Sequence, residues 1–449
     1  MEDMRACAEG LLRFIEECPS KYHVVERVVS EYEKQGFVRL DEKENWNLKW
    51  GKNYVVTRNG SALIAFRLPK KKEAVKGFHM AAAHCDSPSF QIKEKPERKA
   101  EKYVVLNTEK YGGMIYSTWL DRPLSVAGRV AVRDKKSGEI RAKLVNVDRD
   151  LLVIPNLAIH MNRDINKGME YNPQVDLQPL FAMGRAFGDG CVSSEEGTAA
   201  EAKDEAYELS LLKLVADAAG VKQEDILGQD LFLYVRDEGR VIGANGEMIL
   251  SPRLDDLQCV YALSLAHAQE KTGAYVTVNA VFDNEEVGSG SIQGADSTFL
   301  DDVLIRMAEA LEISQGTLRT WISAGFMVSA DNAHAVHPNH PEKADPTNRP
   351  YLNGGIVVKF NSAQKYTTDG MTFAYFREVC EKAGVPCQTY VNRSDVAGGS
   401  TLGNISTAHV SIPSVDIGLP QLAMHSAVET GGTEDTWYVF QAMREFFSR

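Results

Sequence analysis

The sequence predicts an α/β protein: a central mixed sheet flanked by helices and interrupted by a β-rich insertion. Three observations predict it. Apolar strand-like runs alternate with helical periodicity from about residue 237 to the end of the 449-residue chain, and helices and strands also open it. Between roughly 90 and 236 the runs are short and β-like, with little helix. Several apolar runs stop abruptly at polar side chains, the pattern of sheet strands that lead into a site beyond their carboxyl ends. The chain therefore reads as one α/β domain in two parts, 1–89 and 237–449, around an insertion domain, 90–236.

The elements follow in order. Residues 4–17 and 22–35 carry apolar side chains at helical spacing, with Val24, Val25, Val28, Val29 and Tyr32 on one face of the second. Pro19-Ser20 separates the two helices and Gly36 ends the second. Tyr54–Arg58, Asn59-Gly60 and Ala62–Phe66 read as a hairpin with a type I′ turn. Gly77 to His84 is a buried-strand candidate that ends in His84-Cys85-Asp86-Ser87-Pro88. In the insertion, Tyr103–Leu106, Val126–Val132 and Lys143–Val147 are strand candidates. Residues 161–200 are irregular, and Gly188–Gly197 has the composition of a flexible exposed loop. A helix at about 203–219 and a strand at Leu231–Val235 close the insertion. Helix 255–271, strand 274–282, helix 298–312, strands 325–329 and 354–360, helix 369–383 and a last helix over 433–447 complete the pattern, with no internal repeat.

Composition bounds the function. A hydrophobic fraction of 44% and a charged fraction of 25% are those of a soluble globular protein. The net charge of -12 argues against nucleic acid and against an anionic membrane surface as partners. No apolar run approaches the roughly 20 residues of a membrane span. The first residues carry acids where a signal peptide carries bases. The seven Cys form no CxxC pair and are odd in number, so a reducing, cytoplasmic setting is expected.

The chemistry concentrates at the ends of the apolar runs: His84, Asp255, Glu285-Glu286, Asp331 and His425. Val278–Phe282 leads straight into the two adjacent carboxylates, which repel each other and lose hydration there. Cations beside them make such a pair tolerable, and neighbouring residues point in different directions. One Glu can then bind a metal while the other faces a substrate. Two His and several carboxylates suit Zn²⁺, with Mn²⁺ or Co²⁺ as substitutes. A carboxylate bridging two metals would leave a water between them, acidified and ready to attack, with the spare Glu as general base.

Taken singly, each residue also has a structural reading. A Glu-Glu pair is ordinarily solvated surface, and a lone buried His is more often a satisfied core residue than a ligand. Asp255 reads first as the cap of the helix that follows it. Asp86 could orient His84 or cap a turn. His334 and His337 stand at i, i+3, but Pro338 argues against a helix there. The grouping at run ends is what favours a site. Gly288-Ser-Gly-Ser-Ile-Gln-Gly294 lacks dinucleotide-fingerprint spacing and lies beside acids that repel phosphate. Gly398-Gly-Ser400-Thr-Leu-Gly lacks the spacing of a nucleophile elbow and reads as a helix N-terminus lining a pocket.

His84-Cys-Asp-Ser-Pro, Arg253-Leu-Asp, Asp283-Asn-Glu-Glu-Val-Gly-Ser, Asp331-Asn-Ala-His-Ala-Val-His-Pro-Asn and Met424-His-Ser together resemble the aspartyl aminopeptidase family of dinuclear zinc peptidases, in order and over nearly the whole chain. The resemblance implies a zinc-peptidase type of fold and a metalloaminopeptidase that removes N-terminal Asp or Glu from peptides. It implies two zinc ions per subunit: one on His84, Asp255 and Asp331, the other on Asp255, Glu286 and His425. Glu285 would be the general base, Asp86 would support His84, and His334 would meet the substrate near the scissile carbonyl. Lys359, with Tyr366 nearby, matches the residue that meets the substrate's acidic side chain. His160 matches one that reaches into a neighbouring subunit's site. The insertion would make a dimer contact within a homo-oligomer, a tetrahedral dodecamer built from dimers.

Two positions depart from the family pattern. Cys85 stands where Thr is common and is expected to point away from the metals. Asp256 stands where Asn is common and places extra negative charge behind the bridging ligand. The bond between Asp255 and Asp256 is expected to be cis. The rival readings are an aminopeptidase of broader or neutral preference on the same fold, and a non-catalytic scaffold or cargo protein. The second is disfavoured because all six site groups are present.

Overall fold

The computed structural model describes residues 2–183, 210–271, 273–399 and 401–449. The chain divides into two compact units, Met1–Ser87 with Glu238–Arg449, and Pro88–Asp237.

The first unit is built on a nine-stranded mixed sheet. Its spatial order is Val38–Leu40, Asn53–Arg58, Ala62–Arg67, Tyr275–Phe282, Gly77–His84, Phe326–Ala330, Ser414–Gly418, Ile356–Phe360 and Cys387–Val391. The four strands from Tyr275–Phe282 to Ser414–Gly418 run parallel to one another. Ala62–Arg67 and Ile356–Phe360 flank them antiparallel. Both faces are covered, which is why the central strands read as unbroken apolar runs rather than as alternation. On Gly77–His84, Ala81 and Ala83 join the core beneath helices Glu2–Glu17, Lys21–Lys34, Leu254–Gln269, Gly370–Ala383 and Asp435–Ser448. Phe78, Met80 and Ala82 face the other way, against helices Phe299–Ala310 and Gln315–Ser323.

The hairpin turn has positive φ at both Asn59 (52°) and Gly60 (64°), as a type I′ turn requires. Ser61 lengthens the loop to three residues, because Arg58 pairs with Ala62. A second sheet of five short strands lies in the same unit: Arg240–Ile242, Met248–Ser251, Glu429–Gly432, Pro420–Leu422 and Ala333–His334. Helix Leu402–His409 begins where Gly398-Gly-Ser400-Thr-Leu-Gly reads as a helix N-terminus, whereas this sheet, helix Gln315–Ser323 and the strands Cys387–Val391 and Ser414–Gly418 are absent from the sequence expectation.

The second unit is an antiparallel six-stranded sheet in the order Ile140–Asn146, Leu124–Arg133, Ile226–Val235, Ser89–Ala100, Tyr103–Tyr111 and Leu180–Met183. The expected strand at Leu231–Val235 begins earlier, at Ile226. Helix Leu211–Ala219 starts at Ser210, whose hydroxyl accepts from the Lys213 N–H at 3.1 Å, and ends at Gly220 in the left-handed region. The expected start of this helix at 203 and the loop Gly188–Gly197 lie outside the described residues.

Candidate metal centre

Tyr275–Phe282, Gly77–His84 and Phe326–Ala330 are adjacent and parallel, with Phe282 opposite His84 in register. Their shared direction delivers Glu285-Glu286, His84 and Asp331 to one edge of the sheet, beyond the carboxyl ends of the strands. Asp255 arrives from the start of helix Leu254–Gln269, where its backbone (φ -80°, ψ 111°) is not helical. Its Oδ1 accepts no hydrogen bond from the described residues and its Oδ2 faces His425 Nε2 at 3.3 Å, so the capping reading of Asp255 is not the one realised. The Asp255–Asp256 peptide is cis, as expected. His425 comes from the turn joining Pro420–Leu422 to Glu429–Gly432, with left-handed backbone at Ala423 (φ 57°) and His425 (φ 65°).

These residues meet. His84 Nε2 lies 3.6 Å from Asp255 Oδ1 and 4.0 Å from Asp331 Oδ1. His425 Nε2 lies 3.3 Å from both Asp255 Oδ2 and Glu286 Oε1. Donor atoms of His84, Asp255 and Asp331 come within 4.8 Å of one another, as do those of Asp255, Glu286 and His425 and those of His84, Glu285 and Glu286. Asp255 sits between the two imidazoles.

The electrostatics are those of crowded acids. Burial pushes the Glu285 carboxyl up to about 8, with Asp331 and Glu286 adding to it against the opposing His84. Burial pushes Glu286 up to about 7, with Asp255 adding to it and His425 opposing. Burial also raises Asp331, against the pull of Lys359. Within the protein, the balancing charge is drawn from the imidazoles. Burial alone would lower His425, yet Asp255 and Glu286 lift it to about 11. His84 is likewise held well above its usual value by Asp255 and Asp86 despite burial.

A ring of backbone hydrogen bonds holds the cluster. Asp86 Oδ1 accepts from the Glu285 N–H at 3.1 Å and Oδ2 from the Glu286 N–H at 3.2 Å. The expected support of His84 by Asp86 comes from its backbone carbonyl, 3.0 Å from Nδ1, with the carboxylate at 3.5 Å. Asp256 Oδ2 accepts from the His84 N–H at 3.3 Å. Glu429, which the sequence reading passed over, accepts from the Asp255 N–H at 3.0 Å and from the His425 N–H at 2.7 Å. Its only signal in sequence is a single charge in the run Ala427–Gly432. Cys85 points away from the cluster, its thiol donating to Ser61 O at 3.1 Å.

Lys359 is only 2% exposed. Its ammonium donates to Asp331 O at 2.7 Å and Asn332 O at 3.4 Å and lies 3.6 Å from Asp331 Oδ2. In this structure it therefore serves Asp331, with the buried Tyr366 ring 5.3 Å away. His334, at the end of Ala333–His334, sits edge-on to Tyr390. Partial desolvation and the charge of Lys359 lower its pKa. Beside it opens a cavity of about 370 Å³ whose walls include His337, His340, Lys343, Asp345 and Arg393. His160 is exposed in the second unit.

The donor set fits divalent cations. Asp255 Oδ1 and Glu286 Oε1 are sealed from solvent and accept no hydrogen bond from the described residues. Orphaned buried carboxylate oxygens facing imidazole nitrogens are what a borderline metal such as zinc takes as ligands.

Comparison with known proteins agrees with this chemistry. The family model described as Aminopeptidase I zinc metalloprotease (M18) matches residues 14–447. A protein of Clostridium acetobutylicum described as probable M18 family aminopeptidase 2 is 46% identical over 442 residues, covering 98% of each chain. Among solved structures, a chain of the Ape4 and Nbr1 complex superposes with a TM-score of 0.91 at 35% identity, over 99% of this chain and 86% of that one. The S. cerevisiae mApe1 dodecamer superposes with a TM-score of 0.82 at 27% identity, over 99% of this chain and 97% of that one. No described helix is long and apolar enough to cross a membrane.

Proposed function

This chain belongs to the M18 family of aminopeptidase I zinc metalloproteases, and on that premise we propose that it removes the N-terminal residue, preferably Asp or Glu, from peptides. One observation carries the reading. The trios His84–Asp255–Asp331 and Asp255–Glu286–His425 share Asp255, with donor atoms in each within 4.8 Å of one another. Each trio is assigned one zinc ion, with Mn²⁺ or Co²⁺ able to substitute. When bound, such ions would acidify a water and polarise the scissile carbonyl.

The chain's own residues do the rest. Glu285 takes the water's proton and hands it to the leaving amine. Its main chain, tied to Asp86, keeps it beside Glu286 but turned to a different task. Lys359 holds Asp331 in place as a ligand. His334 is assigned to meet the substrate near the scissile carbonyl. The preference for Asp or Glu is supported by the cations in the wall of the adjoining cavity, Lys343 and Arg393 against Asp345.

A homo-oligomer, the tetrahedral dodecamer built from dimers, is proposed by analogy with the dodecameric mApe1. His160 would then reach a neighbour's site. Peptides are the partners, nucleic acid and membranes are not, and the cytoplasm is the setting.

One observation favours a second reading, an aminopeptidase of broader or neutral preference: the Lys359 ammonium already has partners in Asp331 and Asn332. A panel of aminoacyl chromogenic substrates separates the two, and leucyl turnover well above aspartyl turnover would remove the acidic preference. The test of the mechanism is Glu285→Gln. Turnover of an aspartyl substrate should fall by about 10²–10⁴-fold with metal content unchanged. Full activity at unchanged metal content would rule out Glu285 as the base.

A further inference from the structure

Glu429 lies on strand Glu429–Gly432 of the small sheet, opposite Ser251, and is 2% exposed. It belongs to none of the trios of described residues that could hold metal. Its two oxygens nevertheless reach the two elements that must converge for those trios to form. Oε2 accepts from the Asp255 N–H at 3.0 Å, at the start of helix Leu254–Gln269. Oε1 accepts from the His425 N–H at 2.7 Å, in a turn whose backbone is left-handed at that residue. Gln421 Nε2 adds a longer contact to Oε1 at 3.4 Å.

Asp255 and His425 are far apart in sequence. One rigid carboxylate accepting both fixes the separation and orientation of the two peptide planes. Asp86 performs the parallel service for Glu285 and Glu286. Glu429 differs in tying together residues from two different loops. A neutral amide in its place has one acceptor oxygen and an NH2 group that only donates, so its oxygen can satisfy one N–H while its NH2 is turned toward the other.

We infer that Glu429 is a positioning residue that sets the Asp255–His425 geometry, and with it the metal site formed by Asp255, Glu286 and His425. The inference rests on the dinuclear reading above. It goes beyond that reading by assigning a role to a residue outside both ligand sets.

The test compares the full chain with Glu429→Gln, each loaded with Co²⁺ as a spectroscopic probe in place of zinc. Wild type should take up two equivalents and cleave aspartyl peptides; if it does not, the dinuclear reading itself fails. Given that, Glu429→Gln should keep its far-UV circular dichroism and shift the visible Co²⁺ bands. It should hold one equivalent about 10–100-fold more weakly, with kcat lowered by a similar factor and KM little changed. Unchanged bands, stoichiometry and kcat would overturn the inference while leaving the dinuclear reading intact. If Glu429→Gln does not fold, Glu429→Asp, which keeps the charge but shortens the reach, is the second variant. Loss of folding in both would make Glu429 a core residue and overturn the positioning role.

Discussion

One strand carries the same residue type into opposite environments, once along its length and once at its end. His79 and His84 both lie on Gly77–His84, each 1% exposed. His79 is sandwiched in mid-strand between Tyr275 and Phe446, with ring centroids 3.7 and 4.4 Å away. Its two nitrogens meet Phe446 O at 2.9 Å and the Tyr375 hydroxyl at 3.1 Å. Burial pushes it down to about 4, so it is a neutral aromatic spacer. His84, five residues on, faces Asp255 and Asp331 and is held well above its usual value. Burial alone therefore says nothing about the role of a histidine. What separates the two is whether the strand continues past it or ends there, delivering it to the edge where the neighbouring strands also end.

The same substitution at both positions breaks the comparison if it is wrong. His84→Phe should abolish peptide turnover, by well over the hundredfold typical of outer partners. His79→Phe should leave turnover within about twofold. Equal losses would mean that the two positions on the strand do not differ in function. Dialysis against a chelator should act like His84→Phe on activity, and added zinc should restore it. Activity indifferent to the chelator would contradict a metal centre.

The next effects are on stability. His79→Ala empties the space between two rings and should cost about 3–5 kcal/mol, read as a lowered denaturation midpoint. The wild-type His79 should also confer an acid limit. Its folded pKa of about 4 lies below the ordinary 6.5, so the unfolded chain takes up the proton first. Stability should fall as pH drops below about 6.5 and level off below about 4, a loss of about 3 kcal/mol. His79→Phe should remove that component of the acid slope, and an unchanged slope would assign it to other groups. The smallest expected change is Tyr375→Phe, which removes the hydroxyl facing His79 Nε2. It should cost about 1 kcal/mol without affecting turnover.

The contrast also shows what could be read in the sequence. The central strands and flanking helices were legible because burial on both faces produces unbroken apolar runs, and helices that cover a sheet produce period-3.6 stripes. His84, Glu285-Glu286 and Asp331 were legible because each follows such a run. Asp255 and His425 carried weaker signals, a position that also reads as a helix cap and a short Met-His-Ser stretch, and the family resemblance gave them their roles. Glu429 was not legible. Its sheet is made of strands of two to four residues, such as Ala333–His334 and Pro420–Leu422, too short to show any period. The burial of Lys359 was hidden for a similar reason. A charge near a strand end looks solvated until the chain that folds over it is known. The pairing of Asp86 with the main chain of Glu285 and Glu286 depends on backbone placement, which residue identities do not encode.

The account rests on two cation sites that share Asp255, and counting metal tests this most directly. Zinc per chain should be two in the wild type, one in His84→Ala, one in His425→Ala and none in Asp255→Ala, with each variant's fold checked by circular dichroism. Two zinc ions retained in both folded histidine variants, or none in the wild type after zinc loading, would contradict it.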